Sequence, residues 1–119
     1  MISNWPEATQ TLSAMLRDLR AGAGSNEAMK NFSALAQSAS KAGALDARTK
    51  ELIALAIGVA IRCDDCIAFH AKAAALLGAS REEVEETLAM AIYMGAGPSV
   101  MYSSHALQAF NQFAEAKAG

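Results

Sequence analysis

Apolar side chains recur every three or four residues along most of the chain, and polar or glycine-rich breaks divide that pattern into about six helical segments. The first opens at Asn4, where Asn4 and Glu7 form a capping-box-like pair with Pro6 in the first turn. It carries Leu12, Met15, Leu16 and Leu19 at helical spacing until Ala21-Gly22-Ala23-Gly24 ends it. A second begins near Ser25 or Asn26, presents Met29, Phe32, Ala36 and Ala39 as its inner stripe, and stops at Gly43. Asp46 caps a third, whose body from Leu52 to Ile61 is apolar on every face. Such a helix is expected at the buried centre of a domain, and Glu51 is the one charge that interrupts it. A fourth carries Cys63, Cys66 and His70 and ends at Gly78. Ser80 and Glu83 read as the capping box of a fifth, which turns Val84, Leu88, Ala91 and Ile92 inward. After the break at Gly95-Ala96-Gly97-Pro98, a sixth segment bearing Met101, His105, Phe110 and Phe113 runs to the tail.

The third and fourth segments meet without a proline or an intervening glycine. One helix from Asp46 to Leu77 would be far longer than helices of globular domains, so a tight turn is predicted near Arg62. In a continuous helix Glu51 and Cys63 would lie about 18 Å apart. With the chain reversed at Arg62, Glu51 and His70 return to similar heights on antiparallel helices. On the fourth helix Cys63, Cys66 and His70 follow i, i+3, i+7 spacing and share one stripe. A carboxylate, an imidazole and two thiols are thereby expected at one spot.

Composition agrees with an all-α chain. Alanine, the best helix former, supplies 28 of the 119 residues, while Val, Ile and Thr together number 13 and prolines two. A compact bundle in a single domain spanning residues 1–119 is expected. Net charge is −2 with no basic block, which argues against nucleic acid or an anionic membrane as partner. The longest apolar run is about half a membrane span, and the N-terminus lacks a basic-then-apolar signal pattern. A soluble, cytoplasmic protein is expected. The alanines, with Met90, Met94, Met101, Phe110 and Phe113, offer more apolar face than one small core covers, which predicts a homo-oligomer.

Two cysteines spaced C-x-x-C close almost no loop, so a bond between them restrains the unfolded chain little. In a reducing compartment such a pair is more often redox-active or metal-binding. Redox chemistry needs a thiolate, a base that makes it and a second thiol that resolves the oxidised sulfur. Cys66 lies one turn before His70, and Glu51 is placed to orient that imidazole or relay its proton. Cys63 stands at the helix N-terminus, where the dipole and Arg62 favour a thiolate while Asp64 and Asp65 oppose it. These effects partly cancel, and the residues alone leave open which sulfur attacks. Other readings also stand. The cysteines can be small buried hydrophobes, with His70 a hydrogen-bonded core histidine in a non-catalytic helical module. Cys63, Cys66 and His70 can instead ligate zinc, with Glu51 or His105 as fourth ligand, although the chain has enough Leu, Ile, Met and Ala to fold unaided.

The run Glu51, eleven residues, then Cys63-Asp64-Asp65-Cys66-Ile67-Ala68-Phe69-His70 resembles the signature of the carboxymuconolactone decarboxylase superfamily, in its alkylhydroperoxidase D-like branch. The likeness extends from about Asp46 through Phe110. It implies an all-helical fold assembling as trimers or hexamers, and a thiol peroxidase or disulfide reductase without metal or organic cofactor. By that likeness Cys66 attacks a hydroperoxide, Cys63 forms the disulfide with it, and Glu51 with His70 relays protons. A lipoyl-bearing or thioredoxin-like dithiol would be the reductant. Asp65 stands where the best-characterised branch has a histidine, and an acid there should raise thiol pKa values. Asp65 and His105 are carried as site-lining residues. The superfamily's other activity, decarboxylation of a carboxylated muconolactone, needs no C-x-x-C.

Overall fold

The structure is a computed structural model that describes residues 1–118. Among these residues it contains five helices and no strand: α1 (Trp5–Ala21), α2 (Asn26–Ser40), α3 (Ala47–Ala60), α4 (Asp64–Leu76) and α5 (Arg81–Ala118). The all-α expectation holds, and the C-x-x-C pair sits at the N-terminus of the fourth helix. The count of six becomes five because the glycine–proline break is a kink, not a loop. Only Ala96 leaves helical geometry there (φ 54°, ψ −139°), so α5 has two limbs, residues 81–95 and 97–118. Pro98, which has no N–H to give a preceding turn, follows at the start of the second limb. A Cβ at Gly95 would lie 1.9 Å from the Ser99 hydroxyl, so the kink leaves no room for a side chain there while Ser99 keeps its rotamer.

Local signals set the helix ends. The Asn4 carboxamide accepts from the Glu7 N–H at 3.0 Å, and Ser80 and Glu83 exchange both bonds of a capping box at 3.0 and 2.8 Å. Asp46 Oδ1 accepts from the Thr49 N–H at 2.7 Å, a bond that holds its carboxyl below the ordinary value. The turn predicted at Arg62 is a Schellman end to α3: the Arg62 N–H reaches Val59 O at 3.1 Å and the Cys63 N–H reaches Gly58 O at 2.9 Å. Arg62 takes the left-handed φ of 60° that glycine normally supplies. At the end of α4 the same motif uses Gly78, with a φ of 82°.

Helices α3, α4 and α5 pack on one another and build the core, whose largest fully buried side chains include Leu55, Val59, Ile67 and Val84. Each is worth about 1.5–3 kcal/mol of burial. Ala68, Ala71 and Ala74 form a fully buried small-residue face on α4 that admits close neighbours. Trp5, also fully buried, ties the start of α1 to α5 through its Nε1–H to Gln108 (2.9 Å) and its backbone N–H to Gln112 (2.8 Å).

Two packing expectations need correction. The inner stripe of α2 is not covered by this chain: α2 touches only α1 and α3 and has no buried residue, and Phe32 is 63% exposed. Helix α3 is buried along one side through Leu55, Gly58 and Val59, while Ile53, Ile57 and Ile61 face outward. Met15, Leu19 and Met101 are likewise exposed. Periodicity finds an amphipathic face but does not say what covers it. No helix of the described residues is long and apolar enough to cross a membrane.

Candidate active site

The reversal at Arg62 brings Glu51 on α3 beside His70 on α4. His70 Nδ1 lies 2.7 Å from Glu51 Oε2, and the two side chains are 38% and 15% exposed. A carboxylate oxygen only accepts, so Nδ1 carries the hydrogen; in the neutral imidazole this leaves the lone pair on Nε2, the tautomer a base requires. The one charge that interrupts the apolar run of α3 thus has a partner, which offsets its partial desolvation.

Cys63 and Cys66 are joined as a disulfide, with Cα atoms 5.2 Å apart. Cys63 is the N-cap of α4, in extended conformation (φ −113°, ψ 93°), and its Sγ accepts from the Cys66 N–H at 3.2 Å. That extended residue is the relaxed first turn which lets an i, i+3 pair close. The positive end of the helix faces the Cys63 sulfur, an arrangement that favours a thiolate when the bond is open. Helix α3 comes close here: a Cβ on buried Gly58 would touch Cys66 Cβ and Ile67 at 3.6 Å.

An apolar groove of about 580 Å³ opens between α2 and α3, with Leu45, Ile53 and Ile57 on its walls and Glu51 and His70 at its edge. A larger hollow of about 760 Å³ between α1 and α2 is lined by Arg20, Glu27 and Lys30 among others and holds no cysteine or histidine. The groove between α2 and α3 is bordered by Glu51 and His70, and neither cysteine lines it. Lys50, which sequence patterning did not single out, clasps its rim by donating to the carbonyls of Ala39 (3.0 Å) and Lys41 (2.6 Å) at the end of α2.

The structure separates the two acids between the cysteines. Asp65 is exposed and lines a different groove with Asn4 and Glu7 on the α1 side, away from the one that Glu51 and His70 border. Asp64 turns to the second limb of α5, where its Oδ1 accepts from His105 Nδ1 at 2.9 Å. His105, carried as a site-lining residue, is thus held at the cysteine turn by a partner 41 residues away that no local pattern announces. Among the described residues no three His, Cys, Asp or Glu side chains converge as a metal-ligating group. His70 and His105, both offered as zinc ligands, each direct Nδ1 at a carboxylate instead.

The profile of the carboxymuconolactone decarboxylase family matches residues 26–109. A protein of that family from Legionella pneumophila is 48% identical to this chain, with a TM-score of 0.87 over 92% of this chain and 96% of that one. Another member, from Thermotoga maritima, for which an antioxidative role is suggested, is 28% identical, with a TM-score of 0.78 over 98% and 94% of the two chains. An uncharacterised Cupriavidus necator protein is 45% identical over 84 residues, which are 71% of this chain and 74% of its own.

Proposed function

Because the chain belongs to the carboxymuconolactone decarboxylase family, we propose that it is a thiol-dependent oxidoreductase, reducing hydroperoxides through a Cys63/Cys66 dithiol–disulfide cycle. The observation that carries this reading is the disulfide at the start of α4, one turn before a histidine whose Nδ1 lies 2.7 Å from a carboxylate that is only 15% exposed. In the reduced chain His70 Nε2 takes the Cys66 proton, and Glu51 stabilises the imidazolium that results. The thiolate attacks one peroxide oxygen: a sulfur–oxygen bond forms, the oxygen–oxygen bond breaks, and the departing alkoxide takes the proton from His70. Cys63 then attacks the Cys66 sulfenic acid, forming the disulfide and releasing water. Two electrons have passed from the dithiol to the peroxide. An external dithiol, lipoyl-bearing or thioredoxin-like, returns them by thiol–disulfide exchange. A cytoplasmic setting supplies such reductants.

The apolar walls of the groove beside Glu51 and His70 suit a hydroperoxide with a hydrocarbon substituent, and the antioxidative role suggested for the Thermotoga relative is in keeping. A muconolactone decarboxylase would leave both sulfurs without a task. The test is peroxide consumption with a panel of dithiols. Wild type should turn over, Cys66→Ser and His70→Ala should lose most activity, and Cys63→Ser should react once and stop as a sulfenic acid. A wild-type chain that consumes no hydroperoxide with any dithiol, yet turns over a muconolactone after both cysteines are replaced, would overturn the reading.

The active form is a homo-oligomer, a trimer or hexamer. The chain exposes 7360 Å², against about 6,100 Å² expected for a monomer of this length. Its radius of gyration is 14.5 Å, against about 13.5 Å expected. The exposed apolar side chains include Phe32 and Leu35 on α2 and Met90, Tyr93, Met94 and Met101 around the α5 kink.

A further inference from the structure

A second histidine–carboxylate pair stands at the same helix end as the disulfide, and the cycle above gives it no role. His105 Nδ1 lies 2.9 Å from Asp64 Oδ1, with side chains 20% and 26% exposed. The Tyr102 ring is tilted against the imidazole, with centroids 5.0 Å apart. Asp64 is the first residue of α4 and is peptide-bonded to Cys63, whose sulfur caps that helix. The charge at Cys63 is therefore contested. The helix end and the Cys66 N–H favour a thiolate, and a neighbouring carboxylate opposes one. Asp65 is exposed to water, which screens it, whereas the Asp64 side chain is 26% exposed and is the less screened of the two acids. Its histidine partner is the group able to offset its charge.

We propose that His105, through its bond to Asp64, is a positioning residue for Cys63 that lowers the cost of a thiolate there. This rests on the dithiol–disulfide reading and concerns its second half. Cys63 must lose its proton before its sulfur attacks the Cys66 sulfenic acid. A sulfur–sulfur bond then forms, the sulfur–oxygen bond breaks, and hydroxide leaves as water after taking up a proton. When the external dithiol reopens the disulfide, the thiolate released at Cys63 is favoured by the same arrangement. His105 donates Nδ1–H to the carboxylate and occupies one of its lone pairs. Once protonated it also cancels the Asp64 charge. The charged and titratable groups at this corner are Asp64 on α4, Tyr102 on α5, Arg62 and Cys63 on the turn, and Asp65 with Glu7 on the α1 side. The two histidine pairs thus divide the work, His70–Glu51 serving Cys66 and His105–Asp64 serving Cys63.

The test reads Cys63 directly in a Cys66→Ser background, by the pH dependence of its alkylation with iodoacetamide. His105→Gln should move the midpoint upward by about half a unit to one unit, so that alkylation near pH 7 slows about three- to tenfold. Asp64→Asn should move it downward, and in that background His105→Gln should add little, since the histidine acts through the acid. In the chain with both cysteines, His105→Gln should shift the equilibrium with glutathione toward the disulfide and Asp64→Asn toward the dithiol. These readouts need no peroxide activity, so they stand or fall apart from the proposed peroxidase. Unchanged alkylation and glutathione equilibrium in His105→Gln, at unchanged thermal stability, would overturn the proposal. So would an undiminished effect of His105→Gln in the Asp64→Asn background. Should His105→Gln fail to fold, Asp64→Asn alone decides, because the proposal requires faster alkylation in that variant.

Discussion

Replacing Glu51 by glutamine keeps the shape of the side chain and its ability to accept the Nδ1–H of His70, and removes only the charge. Two unit charges about 4 Å apart attract by roughly 4 kcal/mol at an effective dielectric of 20. The imidazole is 38% exposed and the carboxylate 15%, so solvent screening reduces this to about 2 kcal/mol. In the proposed cycle that attraction is gained when His70 takes the Cys66 proton, and its loss should slow thiolate formation about thirtyfold. Looser control of the ring brings the expected deficit to about 10²-fold, the lower end of what a lost acid–base element costs. Stability should move the other way or stay put. A buried amide is cheaper to desolvate than a buried carboxylate, so the unfolding free energy should change by no more than about 1 kcal/mol. Single-turnover loss of free thiols on mixing with a hydroperoxide reads the first quantity without involving a reductant, and urea unfolding reads the second. A rate within about threefold of wild type, or a chain that no longer folds, would refute the relay.

Three further outcomes follow from the helix ends and the uncovered faces. Arg62→Gly should raise the unfolding free energy by about 0.5–1 kcal/mol by relieving its positive φ, whereas Gly78→Ala should lower it by about 1 kcal/mol, both read in urea. Asp46 and Glu83 are held below their ordinary values of 3.8 and 4.5 chiefly by the Thr49 and Ser80 N–H groups. Their contribution to stability is therefore complete above those values and lost as pH falls through the lower folded ones. Urea midpoints should decline on acidification below about pH 4, and less steeply in Asp46→Asn. Sedimentation should show an assembly at micromolar concentration, and Met94→Asp, at a side chain 78% exposed in one chain, should dissociate it without loss of helical circular dichroism.

Legibility from sequence divided along the range of the interactions. Caps at Asn4, Asp46 and Ser80–Glu83 were readable because donor and acceptor lie three residues apart. The Cys63–Cys66–His70 stripe follows from helical periodicity alone. The meeting of Glu51 with His70 depends also on the reversal at Arg62, which sets the two at similar heights on antiparallel helices. No sequence pattern pairs Asp64 with His105, because the second limb of α5 fixes their contact and its course depends on the kink at Ala96. Neither was it evident which of two adjacent acids would turn inward, since neighbours on a helix point about 100° apart. The stripe of α2 misled for another reason: amphipathicity is a property of the helix, and it does not fix whether the rest of the chain covers that face.

Cys63 belongs to two helices at once. Its N–H completes the end of α3 at Gly58, and its sulfur caps the start of α4. Serine is among the best N-cap residues, and its hydroxyl can accept the same N–H. Cysteine and serine codons differ by one base. A lineage carrying this chain could therefore shed the proposed dithiol chemistry by a single mutation while keeping both helix ends and the hairpin intact. The scaffold would outlive the reaction, free to be recruited to another.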